Sequence, residues 1–363
     1  MPKGKVAVAL SGGVDSSAAA LLLQEAACEV IGMHMHLWDS PRSDYQAHQA
    51  ENICRILDIP YYQVDLQKQF ELCVVDYFRQ EYQQGRTPNP CVACNQHIKF
   101  GFLLDKALSL GVDYLATGHY ARIEHSRDGH RLLKAADIGK DQSYFLYTLT
   151  QEKLGQILFP LGDRTKNEVK QVAKQGRLPT ATKPSQDICF VSQKNYGTFL
   201  SQSFPSTPGD IVDTEGTRLG KHQGIAFYTI GQRHGLGLAF GKPLYVVRIE
   251  PEHNRIVLGS EKELYGQELA AQKLNWISGR APRESITVTA RVRYKSKEAE
   301  AILSPHDDSV DVHFSQPQKA VTPGQAIVFY NAGEVLGGGI IKGSQSTTQD
   351  NEREGFVSVS KPR

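Results

Sequence analysis

The sequence has no long apolar run and almost no excess charge. No stretch approaches the roughly 18 uninterrupted apolar residues of a membrane-spanning helix, so no membrane partner is expected. With 41 Lys and Arg against 39 Asp and Glu, the net charge neither requires nor excludes a nucleic-acid partner, because local patches decide binding. The N-terminal run MPKGKVAVALSGG lacks the cleavage site of a signal peptide and fits a buried strand better. We expect a soluble, cytoplasmic protein, with a monomer as the working expectation.

Cysteines are also few, at six in 363 residues. Without a secretion signal they predict reduced thiols rather than a disulfide framework. Cys28, Cys54 and Cys73 lie in apolar stretches and are expected to be small core residues. No second C-x-x-C and no paired His motif is present, which disfavours a closed zinc site.

Walker A and G-x-G-x-x-G motifs are both missing. The glycine-rich loop is instead Ser11-Gly12-Gly13-Val14-Asp15-Ser16-Ser17, between a predicted strand and a predicted helix. Glycines let the backbone approach a phosphate, and the N–H groups of a helix N-terminus bind anions. Asp15 can cap the helix or hold Mg²⁺ against pyrophosphate. The loop therefore predicts a nucleotide phosphate site, and the less favoured alternative is a capped turn without a ligand.

Two further positions lie where predicted strands end, at the edge where open α/β sheets bind ligands. Met35 ends the second strand, where it can contact adenine or serve as a core methionine. Gly118, in LATGHY, follows a later strand. It either allows close approach of the nucleotide or simply ends the strand.

Strand and helix patterns alternate over the first half of the chain. They predict strands at 5–10, 29–37, 61–64 and 112–117, and helices at 16–27, 47–57, 70–82 and 98–110. This order indicates an α/β, Rossmann-like domain with a parallel sheet. Glycine and proline then punctuate a small β-rich central unit, and alternating segments from about residue 274 predict a C-terminal antiparallel β-barrel. The predicted division is 1–200, 201–268, 269–345 and a flexible tail at 346–363.

Three cysteines lie in polar or proline-set loops. GRTPNPCVACN (residues 85–95) presents Cys91 and Cys94 at C-x-x-C spacing just before a helix, where the thiol pKa can be lowered. A redox dithiol, a half-site for zinc or Fe–S, a catalytic nucleophile and an inert pair all fit this spacing. Cys189 follows another polar loop, and taken alone it would more often be buried and silent.

SGGVDSS resembles the PP-loop of the ATP pyrophosphatases, which have an adenine nucleotide alpha hydrolase-like fold and cleave ATP between its α and β phosphates. Further motifs, in order, make nearly the whole chain resemble the bacterial-type tRNA-specific 2-thiouridylases. They are GRTPNPCVACN, LATGHY, KDQSYFL from Lys140, SQDICFV, YTIGQRHGLG from Tyr228, VRYK around Arg293 and VTPGQA from Val321.

The resemblance implies an enzyme that replaces the C2 oxygen of the wobble uridine of tRNA with sulfur, using ATP, Mg²⁺ and a sulfur-donor protein. Cys94 would be the nucleophile and Cys189 would carry the sulfur as a persulfide, ending as a Cys94–Cys189 disulfide. The implied ATP-binding residues are Ala9, Leu10, Ser11, Gly12, Gly13, Val14, Asp15, Ser16, Met35 and Gly118. The implied contacts of the target base and tRNA are Asn89, Pro90, Cys91, His119, Lys140, Asp141, Gln142, Arg293, Tyr294 and Gln325.

Cys91 departs from the family pattern, because many members carry an aspartate there that is suited to be a general base. Either the Cys91 thiol acts as the general base, or Cys91, Cys94 and Cys189 ligate three irons of a [4Fe–4S] cluster whose fourth iron binds sulfide. The persulfide route is the favoured hypothesis. Another PP-loop amidating or ligating enzyme and a non-enzymatic tRNA- or nucleotide-binding module are the alternative functions.

Overall fold

The computed structural model describes residues 4–178, 188–191, 196–237, 241 and 243–343. The predicted tail at 346–363 and residues 183–187 of the second cysteine loop lie outside these ranges.

The first half of the chain alternates strands and helices. They are, in chain order, β1 (Lys5–Ala9), α1 (Val14–Glu25), β2 (Glu29–His36), α2 (Pro41–Leu57), β3 (Tyr61–Asp65), α3 (Gln67–Phe70), α4 (Asp76–Gln83), α5 (Pro90–Ala93), α6 (Leu104–Ser109), β4 (Tyr114–Ala116), β5 (Ala121–Ser126), β6 (Gly129–Lys134), α7 (Gln151–Leu154), β7 (Ile157–Leu158), α8 (Lys166–Gln175) and α9 (Tyr196–Ser203). Two π-helical segments, Glu71–Val75 and Cys94–Leu103, connect α3 to α4 and α5 to α6.

Five of these strands form a parallel sheet in the order β3-β2-β1-β4-β7. Val6, Ala7 and Val8 of β1 are fully buried and belong alternately to two hydrophobic cores, because helices cover both faces of the sheet. The chain crosses to opposite sides of β1 in forming β2 and β4, so the topological switch point lies between β1 and β4. The loop after β1 and the residues after β4 are therefore neighbours, and the predicted α/β fold is confirmed.

The central unit is a four-stranded sheet with a small core of its own. Its strands are β8 (Gly209–Asp213), β9 (Arg218–His222), β10 (Tyr245–Glu250) and β11 (Arg255–Gly259), in the order β10-β11-β8-β9. Ile211, Val246, Ile256 and Leu258 are buried together on one face. The predicted β-rich unit is confirmed.

The last described strands close into a six-stranded antiparallel barrel. They are β12 (Tyr265–Trp276), β13 (Ile286–Arg291), β14 (Ala299–Pro305), β15 (Ser309–Lys319), β16 (Ala326–Asn331) and β17 (Glu334–Gly343). β17 pairs back with β12, which closes the barrel and confirms the prediction. β12 begins at Tyr265, before the predicted third domain starts at residue 269, and the division into domains stays a prediction.

The sequence did not predict the hairpin β5–β6, which adds to the barrel rather than to the parallel sheet. The backbone N–H of Lys134 donates to the carbonyl of Gly333 at 2.9 Å. Arg131 and Glu334 add an ion pair at 2.7 Å. The hairpin therefore joins the first part of the chain to the barrel by a main-chain hydrogen bond and an ion pair.

A cluster of charged side chains lies in the same junction. Glu298 pairs with both Lys134 and Arg291, and Arg291 lies 3.5 Å from the carboxylate of Asp141. The Lys134 ammonium and the Arg291 guanidinium lie 4.3 and 5.4 Å from the centre of the Tyr330 ring. Removing one partner of such a buried set costs about 3–5 kcal/mol, because an uncompensated charge stays behind. The cluster therefore fixes how the barrel meets the first domain.

Candidate active site

The phosphate loop is shaped by close backbone packing. Gly12 has a φ of +72°, and a Cβ there would lie 2.8 Å from the Gln46 carbonyl oxygen, so glycine is required on both counts. The hydroxyls of Ser16 and Ser17 donate to the carbonyl of Gly13 at 3.1 and 2.8 Å. These two serines therefore hold the turn closed. The Ser11 N–H is also used, because it donates to the Ser16 hydroxyl at 3.2 Å, so an anion would meet the N–H groups at the start of α1.

Asp15 does not cap the helix, which corrects one of its two expected roles. The N-cap of α1 is Gly13, with no side-chain cap. Asp15 Oδ1 instead accepts from the Tyr120 hydroxyl at 2.8 Å and from Lys166 Nζ at 2.5 Å. The sequence did not single out Lys166. The capping box of Thr165 marks only the start of α8 there, and nothing local predicts that α8 begins beside the phosphate loop.

Four further residues that were predicted to bind ATP have no polar side chain. A Cβ on Gly118 would lie 2.8 Å from the Ser16 nitrogen, so glycine lets the end of β4 pack against the start of α1. Ala9 and Leu10 are buried, and the Leu10 carbonyl accepts from His34 at 2.9 Å. Met35 is half-buried against the core on the opposite face of the sheet. Both main-chain polar groups of Leu10 are thus used within the protein, because its N–H donates to the Met33 carbonyl at 2.8 Å.

The loop that leads to the first two cysteines is held at several points. Arg86 makes two hydrogen bonds of 2.6 Å to the buried Glu81. Asn89 accepts from the Val92 N–H at 3.3 Å and so caps α5, with Pro90 as its first residue. This local order places Cys91 in the first turn of the helix and Cys94 at its end.

The three cysteines singled out in the sequence lie near one another. Burial raises the pKa of the Cys94 thiol to about 12, the Lys99 ammonium opposes this, and Cys189 and Cys91 are close enough to act on it electrostatically. The expectation that a helix N-terminus lowers this pKa is therefore wrong for Cys94. α5 continues directly into a π-helical segment, so Cys94 lies inside a longer helix and is buried. Cys91 is half-buried and Cys189 exposed.

Cys189 is positioned by its neighbour in the chain. The Phe190 ring lies among aromatic rings from three other elements, with centroids 5.6 Å from Phe70, 5.4 Å from Phe78 and 5.6 Å from Phe199. Aromatic pairs at these separations stabilise beyond the apolar area that they bury. Phe190 thus anchors the segment in which the preceding residue, Cys189, carries an exposed thiol.

Lys99 lies between the cysteines and the end of β4. Five residues separate it from Cys94, and because a π-helix closes hydrogen bonds from i to i+5, the two lie about one turn apart. Lys99 Nζ is 3.4 Å from His119 Nε2, and His119 Nδ1 is 2.7 Å from the Thr117 hydroxyl. An ammonium can only donate, so Nε2 accepts and the proton lies on Nδ1. Burial and the Lys99 charge hold the pKa of His119 well below its usual range.

We expect Lys99→Met to slow alkylation of Cys94 by iodoacetamide about tenfold at pH 8, because loss of the ammonium raises the pKa of the Cys94 thiol. The thiolate is the reacting form, and removing the positive charge raises a pKa that already lies far above this pH. Lys99→Arg keeps the charge and should alkylate nearly as the wild type does. Lys106→Met, at an exposed position further along the helix, is the matched control.

The measurement is the pH profile of alkylation, followed by peptide mass spectrometry. Cys91 and Cys94 fall in one tryptic peptide, residues 87–99 in the wild type and 87–106 in Lys99→Met, so tandem spectra must locate the label. If Lys99→Met labels Cys94 at the wild-type rate, the Lys99 ammonium does not lower the pKa of the Cys94 thiol.

The predicted tRNA residues of the first domain differ in accessibility. Lys140 is exposed, but His119 and Asp141 are 8% and 2% exposed. Asp141 accepts from the N–H groups of Ala135 and Ser143, at 3.1 and 3.2 Å, and from the Ser143 hydroxyl. The Asp141 carboxylate therefore holds the turn that carries the exposed Lys140, and is itself buried.

Gln142 and the predicted barrel residues also make internal contacts. Gln142 Oε1 accepts from the Tyr120 N–H at 3.0 Å, and Arg293 Nη2 donates to the Lys319 carbonyl at 2.8 Å. The Tyr294 ring lies 4.4 Å from that of Phe145. Tyr294 is also close enough to Cys91 for the thiol to act on its pKa, which burial raises. The VRYK motif of the barrel therefore reaches the cysteine loop.

The described residues do not fit a [4Fe–4S] site. No three His, Cys, Asp or Glu side chains among them are arranged to hold a metal ion. We derive no step through a cluster.

Comparison with known proteins identifies the chain's family. The family model described as tRNA methyl transferase HUP domain matches residues 4–193, the tRNA methyl transferase PRC-barrel domain matches 197–260, and the aminomethyltransferase beta-barrel domain matches 266–341. The tRNA-specific 2-thiouridylase MnmA of Acetivibrio thermocellus is 48% identical over 361 residues, covering 94% of this chain and 100% of that protein. This chain belongs to the tRNA-specific 2-thiouridylase family.

Other comparisons agree with this or add nothing to it. The 2-thiouridylase MnmA 1 of Syntrophus aciditrophicus is 48% identical over 349 residues, covering 94% of this chain and 93% of that protein. A solved structure, the U34-tRNA thiolase NcsA from Methanococcus maripaludis with its [4Fe-4S] cluster, is 22% identical with a TM-score of 0.36. It covers 56% of this 2-thiouridylase and 65% of that chain, and supports no further argument. None of the described helices is long and apolar enough to cross a membrane.

Proposed function

We propose that this 2-thiouridylase activates the C2 oxygen of the wobble uridine of tRNA as an adenylate and replaces that oxygen with sulfur. One observation carries the proposal: contacts lead from the phosphate loop to Lys99, and electrostatic interactions lead from Lys99 to the cysteines. Gly118 packs on the loop, and His119 follows it and contacts Lys99. The charge of Lys99 acts on Cys94, which lies near Cys91 and Cys189. Nucleotide and sulfur chemistry can thus meet on one substrate atom.

The first step would be attack of the uridine O2 on the α-phosphate of ATP. An O–Pα bond forms, the Pα–O bond to the β-phosphate breaks, and pyrophosphate leaves. The backbone N–H groups of the phosphate loop and the Lys166 ammonium would stabilise the departing charge. Asp15, the one carboxylate of that loop, already accepts from Tyr120 and Lys166. Phosphate oxygens would therefore supply most ligands of the Mg²⁺ that accompanies ATP.

The second step would move sulfur from Cys189 to the base. The Cys94 thiolate attacks the Cys189 Sγ of a Cys189–S–SH persulfide, which forms a Cys94–Cys189 disulfide and releases HS⁻. The HS⁻ adds at C2, AMP leaves with the original oxygen, and the proton on sulfur replaces the N3 proton that uracil lost on adenylation. An external thiol must reduce the disulfide before the next turnover. Cys189 is exposed, as a residue loaded by a sulfur-donor protein must be.

The tRNA would approach from the side of the barrel and the turn at Lys140. Enzymes that modify a base take it out of its stack and commonly hold it against aromatic rings. Tyr294, half-exposed beside Cys91, would serve this purpose, with Asn89 and Pro90 bounding the pocket. Lys140 would bind phosphate. Asp141 and His119 would act by positioning other residues.

The deciding experiment is nucleoside mass spectrometry of tRNA incubated with the enzyme, ATP, Mg²⁺ and a cysteine desulfurase with cysteine. We expect 2-thiouridine together with tRNA-dependent release of pyrophosphate. Pyrophosphate release without 2-thiouridine would favour another PP-loop amidating or ligating activity, and tRNA binding with neither product would favour a binding module. Iron analysis of enzyme purified without oxygen tests the cluster route separately.

A further inference from the structure

We infer that Gln325 is a positioning residue of the sulfur-transfer site: from the barrel, its side-chain amide holds the loop that carries Cys91 and Cys94. The inference deepens the proposed function and rests on it. It differs from the role that the family resemblance implies, which is direct contact with tRNA.

The contacts of Gln325 are with the main chain of the cysteine loop. Its Nε2 lies 3.0 Å from the Thr87 carbonyl oxygen and 3.1 Å from the Pro88 carbonyl oxygen. An amide nitrogen carries two hydrogens, and two carbonyl acceptors use both of them. What remains is Oε1, an acceptor. Phosphate oxygens also only accept, so Gln325 cannot bind an RNA phosphate without releasing the loop.

Pro323 and Gly324 precede Gln325 in the barrel turn and also contact the cysteine loop. The Thr87 N–H donates to the Pro323 carbonyl at 2.9 Å. Gly324 has a φ of +89°, and a Cβ there would lie 3.0 Å from the nitrogen and from the oxygen of Thr87. The barrel turn therefore lies directly against the backbone of the cysteine loop.

Other parts of the protein hold the opposite side of this loop. Gly85 has a φ of +64°, and a Cβ there would lie 2.7 Å from Ile249 of the central unit. Arg86 is fixed by its two hydrogen bonds to Glu81. The segment between Arg86 and the start of α5 is thus attached at one end by the first part of the chain and the central unit, and along its middle by the Pro323 carbonyl and by Gln325. Removing the two Gln325 hydrogen bonds would loosen the middle of this segment, so that Cys91 can move while the fold stays intact.

The test compares Gln325→Met with Gln318→Met. Methionine has nearly the volume of glutamine but no N–H donors. The Gln318 amide donates to the Gln316 carbonyl within its own strand at 2.7 Å, so the control loses a similar bond away from the cysteines. Two quantities are measured: kcat and KM for tRNA thiolation, and the rate at which iodoacetamide labels Cys91 in the protein without RNA or ATP.

We expect Gln325→Met to lower kcat about tenfold with KM for tRNA within about twofold of the wild type, because small misplacement of reacting groups is costly. Labelling of Cys91 should become faster, and Gln318→Met should change neither quantity. A raised KM with unchanged kcat and unchanged labelling would overturn the inference in favour of RNA contact. Unchanged labelling with lowered kcat would also overturn it. If the wild type forms no 2-thiouridine, the proposed function fails, but the labelling rates still test whether Gln325 holds the loop.

Discussion

Cys94→Ser and Cys189→Ser should each lower 2-thiouridine formation by about a thousandfold or more, since each removes a sulfur that takes part in bond exchange. Serine cannot carry a persulfide, and its hydroxyl does not form a mixed disulfide. Both substitutions leave the phosphate loop untouched. Pyrophosphate release in the presence of tRNA should therefore continue in both variants. The substitutions separate adenylation from sulfur transfer.

Single-turnover assays on one tRNA preparation, with pyrophosphate and nucleosides measured in parallel, give both rates. Cys73→Ser is the matched control, because Cys73 is half-buried and its thiol takes no part in the proposed steps. The two variants should also differ from each other: Cys94→Ser should accumulate sulfur on Cys189, whereas Cys189→Ser should not be loaded at that position. Full thiolation by either variant would refute the assigned roles.

Lys166→Met is expected to lower tRNA-dependent pyrophosphate release about a hundredfold, within the range found when one donor to a developing charge is removed. Lys166 lies 2.5 Å from Asp15 in the phosphate loop. ATP brings several negative charges to this loop, and without the lysine they would meet an Asp15 carboxylate that is no longer neutralised. The loss should appear in the adenylation step and so limit thiolation as well.

The matched control is Lys170→Met, at an exposed position of the same helix. Lys166→Arg, which keeps the charge but changes its shape, should recover part of the rate. The pyrophosphate assay at saturating tRNA distinguishes the variants. Wild-type pyrophosphate release by Lys166→Met would mean that Lys166 serves only to hold Asp15.

The sequence predicted the features that depend on residues close together in the chain. The phosphate loop follows a buried strand and opens a helix, as Gly12 and Gly13 indicated. The parallel sheet, the central unit and the barrel were also predictable from the spacing of apolar and turn residues.

Contacts between distant segments were not predictable. Lys166 lies 151 residues from Asp15 in the sequence, and no local pattern joins them. The high pKa of the Cys94 thiol comes from burial, although its spacing suggested a helix N-terminus. Asp141 and Gln325 belong to motifs that resemble tRNA-binding ones, yet their hydrogen bonds are internal. A motif indicates that a residue matters, whereas the packing around it indicates how.

The pairing of the hairpin β5–β6 with the barrel has a consequence for synthesis of the chain. Arg131 and Glu334 are separated by 203 residues, so at roughly 5–20 residues per second a ribosome needs about 10–40 s to supply the partner strand. During that time β6 exposes an unpaired edge, which is a template for pairing with other chains. The charged residues Arg131 and Lys134 on this strand, which later form ion pairs with the barrel, meanwhile discourage aggregation of the nascent chain.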